Sequence, residues 1–217
     1  MMANEIELEI LFEDENIVAI NKPIGISSAH ENKKSNVSLL ELAQKKLNQK
    51  LFVVHRLDKE VSGVILFAKN KKTHKELNKL FSSRKIIKSY LAVVHGIVEK
   101  DSGIIEMPIK KFASGRMGID SQKGKPSKTV YHVIKRFKDA TLLSVIPHTG
   151  RRHQLRVHFY GINHPIVGDL KYGDKKVQMN FPRLMLHASK IEFILNSKHY
   201  IIAAATPKNF TDTNFTN

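Results

Sequence analysis

The apolar residues of this chain fall into short runs, most of them too brief for a helix and separated by gaps too brief for a crossover. Glu5 to Leu11 alternates acidic and apolar residues, the period of a half-buried strand. Asn16 to Ile20 is a second short strand, closed by Asn21-Lys22-Pro23 and Gly25. Leu51 to Val54 and Val64 to Ala68 are continuous apolar runs that read as buried strands. Tyr90 to His95, Ile104 to Met107, Val130 to Lys135 and Leu142 to Ile146 follow as strands, and Ile191 to Leu195 and Tyr200 to Ala204 as a closing pair. Helical spacing is confined to Ser38–Leu47, which opens on a Ser38/Glu41 capping box, to Thr73–Phe81, and to His153–Tyr160, which stops at Gly161. Parallel neighbours need connections of about a dozen residues or more, and many gaps here are shorter. The expected class is therefore α+β with a mostly antiparallel or mixed sheet, in one domain over residues 1–208. The polar residues 209–217 are expected to form a frayed tail.

A chain of 217 residues can bury roughly 70% of its unfolded surface. It has no cysteine, which excludes disulfides, thiolate metal sites, iron–sulfur clusters and a cysteine nucleophile. The first residues are acidic, and no apolar run approaches the ~18 residues of a membrane span. The expected location is cytoplasmic, with no membrane partner. Lys and Arg number 36 against 20 Asp and Glu, a formal charge of +16. Such a field favours polyanions, nucleic acid before anionic lipid, although charge of this kind also serves solubility. The bases are gathered: Lys69, Lys71, Lys72, Lys75, Lys79, Arg84, Lys85 and Lys88 face Glu76 alone, and a second stretch runs from Lys110 to Arg136. Phe81, Tyr90, Phe112 and Tyr131 lie among them, as in a groove that tracks phosphates and stacks bases.

Three positions stand out chemically. Asp58 lies in HRLDKEVSG, His55 to Gly63, between two apolar runs. A carboxylate so close to buried strands needs a partner. A structural ion pair to Arg56 or Lys59 explains it as readily as catalysis does. HTGRRHQLRVH, His148 to His158, is dense in donors. With a helix starting at His153, Arg152 and Arg156 would share a face suited to an anion, or simply to solvent. Tyr90, within KSYLAVVHG, is either core or a platform for a base. No metal is expected: His153 and His158 stand about 140° apart around a helix, with no acid nearby. Walker, zincin, EF-hand and nucleophile-elbow patterns are absent as well.

Taken together, the blocks NKPIG (Asn21–Gly25), HRLDKEVSG, KSYLAVVHG, GKPSKTVY (from Gly124), TGRRHQLRVH (from Thr149), HPIVGD (His164–Asp169) and MLHAS (from Met185) are similar to those of the RluA-type pseudouridine synthases, in the same order, over roughly residues 6–207. The resemblance implies a mixed, mainly antiparallel sheet with peripheral helices and a central RNA-binding cleft. It implies cofactor-free isomerisation of uridine to pseudouridine in ribosomal RNA, transfer RNA or both; nothing in the sequence demands more than a monomer, and no obligate protein partner is expected. It also implies roles. Asp58 is the catalytic carboxylate, Arg156 its arginine partner and Tyr90 the active-site tyrosine. Leu186 packs in the uridine pocket, Arg56 holds the RNA open around the flipped nucleotide, and Arg151 and His153 contact the substrate. Two departures stand out. Val61 occupies a position where the family usually has threonine, and no S4 RNA-binding domain precedes the catalytic region, so recognition is expected to rest on that region itself. A catalytically silent RNA binder and a lipid-surface protein are the rival readings.

Overall fold

The computed structural model describes residues 7–29 and 37–211. The chain divides into two compact units: residues 1–86 with Lys190–Ala204, and Ile87–Ser189 with residues 205–217. The fold is α+β, with few helices and every strand register described below antiparallel.

The first unit contains β1 (Glu9–Glu13), β2 (Ile17–Lys22), α1 (Leu39–Leu47), β3 (Phe52–Val53), β4 (Ser62–Ala68) and α2 (Lys71–Ser82). β2 lies between β1 and β4, with Asn21 opposite Val64 and Lys22 opposite Gly63, and β3 pairs with the far end of β4. All seven residues of β4 are buried, so it is covered on both faces, as its unbroken apolar run requires. Leu66 and Ala68 pack with Ile17, Ala19 and Val54, with Leu77 of α2, and with Phe193 and Tyr200 of a closing hairpin.

Both helices of this unit start on side-chain caps. Ser38 Oγ accepts the Glu41 amide while the Glu41 carboxylate accepts the Ser38 amide, the reciprocal box expected from the sequence. Asn70 caps α2 through the Thr73 amide, which starts the helix two residues ahead of the expected Thr73. β1 is set further along the chain than Glu5–Leu11, because Leu11 and Phe12 pack on the core. Residues 5 and 6 of that expected strand lie outside the described residues.

The second unit contains β5 (Ile87–His95), β6 (Ser102–Glu106), β7 (Ile109–Lys111), β8 (Met117–Ile119), β9 (Lys128–Arg136), β10 (Ala140–Pro147), α3 (Gln154–Gly161) and α4 (Lys175–Gln178). β10 lies between β5 and β9, and β9 carries β6 on its other edge. β7 and β8 make a separate hairpin that runs of three residues do not announce. β11 (Leu186–Leu195) belongs to the second unit up to Ser189 and to the first from Lys190, where it pairs with β12 (Lys198–Ala203). The start of the expected tail is ordered by one aromatic ring. Lys208–Phe210 form a 3-10 turn, and Phe210 is wholly buried beneath the Arg183 guanidinium. Residues 212–217 of that tail lie outside the described residues.

Candidate active site

Asp58 and Arg56 lie on the loop between β3 and β4, in the first unit. The loop has no ladder of its own, and its backbone is held from outside. Ser28 brackets Leu57, its Oγ accepting the Leu57 amide at 3.0 Å and donating to the Leu57 carbonyl at 2.9 Å. The fully buried Lys22 donates its ammonium protons to the carbonyls of Pro23 (2.8 Å), Ile26 (2.9 Å) and Lys59 (3.1 Å). The Gly25 amide donates to the same Lys59 carbonyl, and the Val61 amide closes a turn onto Asp58 O. Upstream, His55 Nε2 accepts the Leu66 amide at 2.9 Å, and its ring stacks on Phe81 at the end of α2. Gly63, at φ +110°, occupies a region that favours glycine.

Asp58 is thereby fixed on both sides while its side chain stays half-exposed, and Arg56 is exposed. Lys59 is exposed and forms no ion pair among the described residues, which removes one structural explanation for the aspartate. Val61 is buried and apolar. A threonine there would bring a hydroxyl into the same packed position and need a partner.

Tyr90, Arg156, Arg151, His153 and Leu186 belong to the second unit. Tyr90 sits on β5 opposite Val145 of β10, half-buried. Lys88 lies two residues earlier and therefore on the same face of the strand. Its ammonium is beside Gly150, where a β-carbon would approach it to 3.7 Å. Burial pushes the Lys88 amine below its usual range, and no hydrogen bond or ion pair holds it among the described residues.

Arg156 lies on α3 and is almost fully buried. Its Nε donates to Asp169 Oδ2 at 2.8 Å and its Nη2 to Asp169 Oδ1 at 2.7 Å. Asp169 also accepts the Lys171 and Tyr172 amides, and Tyr172 lays its ring under the Arg156 guanidinium. Gly168, next to Asp169, passes close to the Arg183 backbone. Its φ is +76°, and a β-carbon would overlap the Arg183 carbonyl.

The helix starts at Gln154, not at His153, which is held left-handed at φ +54°. Arg152 thus lies outside the helix, and the shared face expected for Arg152 and Arg156 is not formed. His153 turns its ring to Tyr172 instead, with Nδ1 2.7 Å from the hydroxyl. The Tyr172 phenol is pushed up by burial, against the pull of the Met117 amide. The Arg151 side chain donates to the Pro126 carbonyl at 3.4 Å, its one hydrogen-bond partner among the described residues. Leu186 is buried at the start of β11.

Beneath this end of α3, Gln154 ties three segments together. Its Oε1 accepts the Thr149 hydroxyl at 2.6 Å and the Arg151 amide at 3.0 Å, and its Nε2 donates to the Lys128 carbonyl and Thr129 Oγ1. The Thr129 hydroxyl donates to His158 Nδ1, and His158 Nε2–H donates to the Met107 carbonyl. Burial holds the His158 pKa below the usual value.

Reading the sequence alone missed Lys22, Asp169, Tyr172 and Ser28 as contributors. Lys22 and Asp169 stand inside two of the motif blocks, NKPIG and HPIVGD, but nothing in one dimension says what each would reach. Ser28 carries no signal at all.

A fold of this class, carrying an aspartate on a pinned loop and a buried arginine on a short helix, matches one family. The chain belongs to the RNA pseudouridylate synthases, whose family model covers residues 16–160. It is thus an isomerase acting on RNA. Among curated relatives, an uncharacterized RNA pseudouridine synthase of Zymomonas mobilis is 38% identical, over 95% of this chain and 97% of that one. The dual-specificity RNA pseudouridine synthase RluA of Vibrio vulnificus is 37% identical, over 93% and 84%. The ribosomal large subunit pseudouridine synthase C of Buchnera aphidicola is 39% identical over 85% of this chain, which spans 62% of that protein's length. Among solved structures, human RNA pseudouridylate synthase domain containing 1 superposes with a TM-score of 0.84 at 25% identity, covering 95% of this chain and 86% of that one. No helix among the described residues is long and apolar enough to cross a membrane.

Proposed function

We propose that this chain isomerises uridines of large-subunit ribosomal RNA, with transfer RNA as a second substrate class, and that Asp58 is the carboxylate that acts on the ribose. The observation that carries this reading is the pinning of the Asp58 loop. A catalytic group must be held to within a fraction of an ångström of its working geometry, and Ser28 and Lys22 clamp the residues on either side of Asp58 while Asp58 itself stays partly exposed. Ribosomal RNA is proposed because a relative of 39% identity is a ribosomal large subunit enzyme. Transfer RNA rests on the resemblance of the motif blocks.

The chemistry balances without an outside reactant. The N1–C1′ bond of uridine breaks, the base turns, and a C5–C1′ bond forms. C5 loses a proton and N1 gains one, so no electrons are exchanged and no cofactor is called for. Asp58 acts either by adding to C1′ or by taking a ribose proton to give a glycal. Both routes need it ionised, and an arginine partner favours that form. Arg156 fills that role in our reading. Tyr90 stacks on the base and assists loss of the C5 proton, Leu186 packs against the uridine, and Arg56, Arg151 and His153 hold the RNA around a nucleotide that has left its stack. The enzyme works as a monomer.

The test is tritium release from ribosomal and transfer RNA transcripts labelled at uridine C5, comparing wild type with Asp58→Ala. Release by wild type alone is the expected result. Release by both proteins excludes Asp58, and release by neither excludes isomerisation of these RNAs.

A further inference from the structure

The charge on α2 is at odds with what the helix itself would prefer. Lys71, Lys72 and Lys75 lie in or just after its first turn, and that turn contains no acid. The helix dipole favours acids at this end and opposes cations. Lys71, Lys75 and Lys79 are spaced four apart, so they share one row and repel one another. All of them are exposed. None forms an ion pair among the described residues, whereas Lys69, Lys110, Lys128, Lys190 and Lys198 each have a carboxylate partner. The one acid on the helix, Glu76, bonds instead to the Asn196 amide. Beyond the last turn, Arg84 adopts φ +59°, the left-handed position at which helices usually place glycine.

The other face of α2 is ordinary core. Thr73 and Leu77 are buried, and Leu80 and Phe81 pack on the same cluster. This inner face also fixes the helix to the segment that leads to Asp58. His74 Nε2 lies 3.0 Å from the Val53 carbonyl, and Phe81 stacks on His55 at 4.9 Å. The outer face is therefore a rigid cationic ridge attached to the chain three to five residues before the proposed catalytic carboxylate.

We propose that the solvent face of α2 (Lys71, Lys72, Lys75 and Lys79, continued by Arg84) is the docking ridge for the phosphate backbone of the RNA strand flanking the target uridine. Successive lysines of the row are about 6 Å apart along the axis, the scale of the step between phosphates of one strand. The inference rests on the RNA-isomerase reading. It adds where the substrate strand is held: the ridge opposes the stability of the helix, and a polyanion laid along it relieves that opposition.

The experiment uses the full chain with K71Q/K75Q/K79Q. The charge-matched control is K100Q/K138Q/K175Q, which removes three exposed lysines elsewhere. The probe is a short RNA hairpin with a uridine-containing loop, its binding measured across a salt series. The ridge variant should bind about tenfold more weakly at moderate salt, with its log–log salt slope smaller in magnitude by about 2. The control should keep the wild-type slope. The melting temperature of the ridge variant should be no lower than that of wild type, because the removed charges repel one another. Equal loss in both triple variants would reduce the ridge to general charge, and an unchanged slope in the ridge variant would overturn it outright. If wild type releases no tritium from any transcript while the ridge variant still loses its slope, the isomerase reading fails and with it the placement beside a target uridine, leaving the ridge as an RNA-binding surface alone. If wild type releases tritium normally and the ridge slope is unchanged, the ridge fails and the isomerase reading stands.

Discussion

Arg156 and Asp169 meet through two parallel hydrogen bonds of 2.8 and 2.7 Å, with side chains only 5% and 1% exposed. The planar guanidinium fits the carboxylate as a fork, and the Lys171 and Tyr172 amides occupy further acceptor capacity of Asp169. This pair fixes the direction of the arginine that the motif block marks as functional. Removing one side of a buried, bidentate ion pair is strongly destabilising, by about 3–5 kcal/mol. Asp169→Asn should therefore lower unfolding stability by about 3 kcal/mol in urea titrations and reduce turnover as well. A variant with wild-type stability would mean that Asp169 contributes little to holding Arg156.

His158 links the stability of the second unit to pH. Its folded pKa is depressed by burial, which outweighs the opposing pull of the hydrogen bond to the Met107 carbonyl. As pH falls below the ordinary value of about 6.5, the unfolded chain takes up a proton that the folded chain refuses. The stability is therefore complete above that value and is lost as pH drops toward the folded pKa, at up to about 1.4 kcal/mol per pH unit from this group. Stability measured between about pH 7 and pH 5 should fall more steeply in wild type than in His158→Asn. Parallel curves for the two proteins would rule out His158 as the sensor.

Lys88 carries the opposite kind of tension, a charge the fold would be better without. Its folded pKa lies below 10.5, so in alkaline solution the folded chain releases this proton before the unfolded chain does. In that window the burial penalty lifts, and the contribution of Lys88 to stability rises with pH. Lys88→Met removes the penalty at neutral pH and should raise the melting temperature by about 2–4 °C, a gain that shrinks as pH approaches the ordinary lysine range. Because the residue shares a strand face with Tyr90, turnover should fall in the same variant. A lower melting temperature would show that Lys88 has a stabilising partner after all.

The sequence made the strands of the first unit legible because β2 and β4 are buried on both faces and therefore read as unbroken apolar runs. The Ser38/Glu41 box was legible because its chemistry is local. The HRLD block and the arginine of TGRRHQLRVH identified the family, yet the sequence did not hold the geometry around them. Arg156 and Asp169 are thirteen residues apart, and no local spacing rule joins them. The start of α3 was misplaced because His153 takes a left-handed conformation that helix spacing does not reveal, with its ring committed to Tyr172. β7 and β8 were missed because three-residue strands leave no period to read.

Lys22 shows how far a local motif can reach. Its side chain is fully buried and binds carbonyls one, four and thirty-seven residues along the chain, the last of them adjacent to Asp58. An ammonium in such a place is stabilised by carbonyl dipoles that replace its water. Lys22→Met keeps most of the volume and removes the charge, leaving the carbonyls of Pro23, Ile26 and Lys59 without that donor. Each buried acceptor left unsatisfied costs about 1–3 kcal/mol, so a total loss of about 3 kcal/mol is expected after local relaxation. The loop carrying Asp58 should loosen with it. In native-state hydrogen exchange the amides of Gly25 and Val61, which bond to Lys59 O and Asp58 O, should lose protection more than those of β10 in the other unit. Turnover should fall while RNA affinity is retained, because the cations of α2 are untouched. Uniform loss of protection through both units would instead assign Lys22 to global stability, and unchanged exchange at Gly25 and Val61 would exclude it as the anchor of the loop.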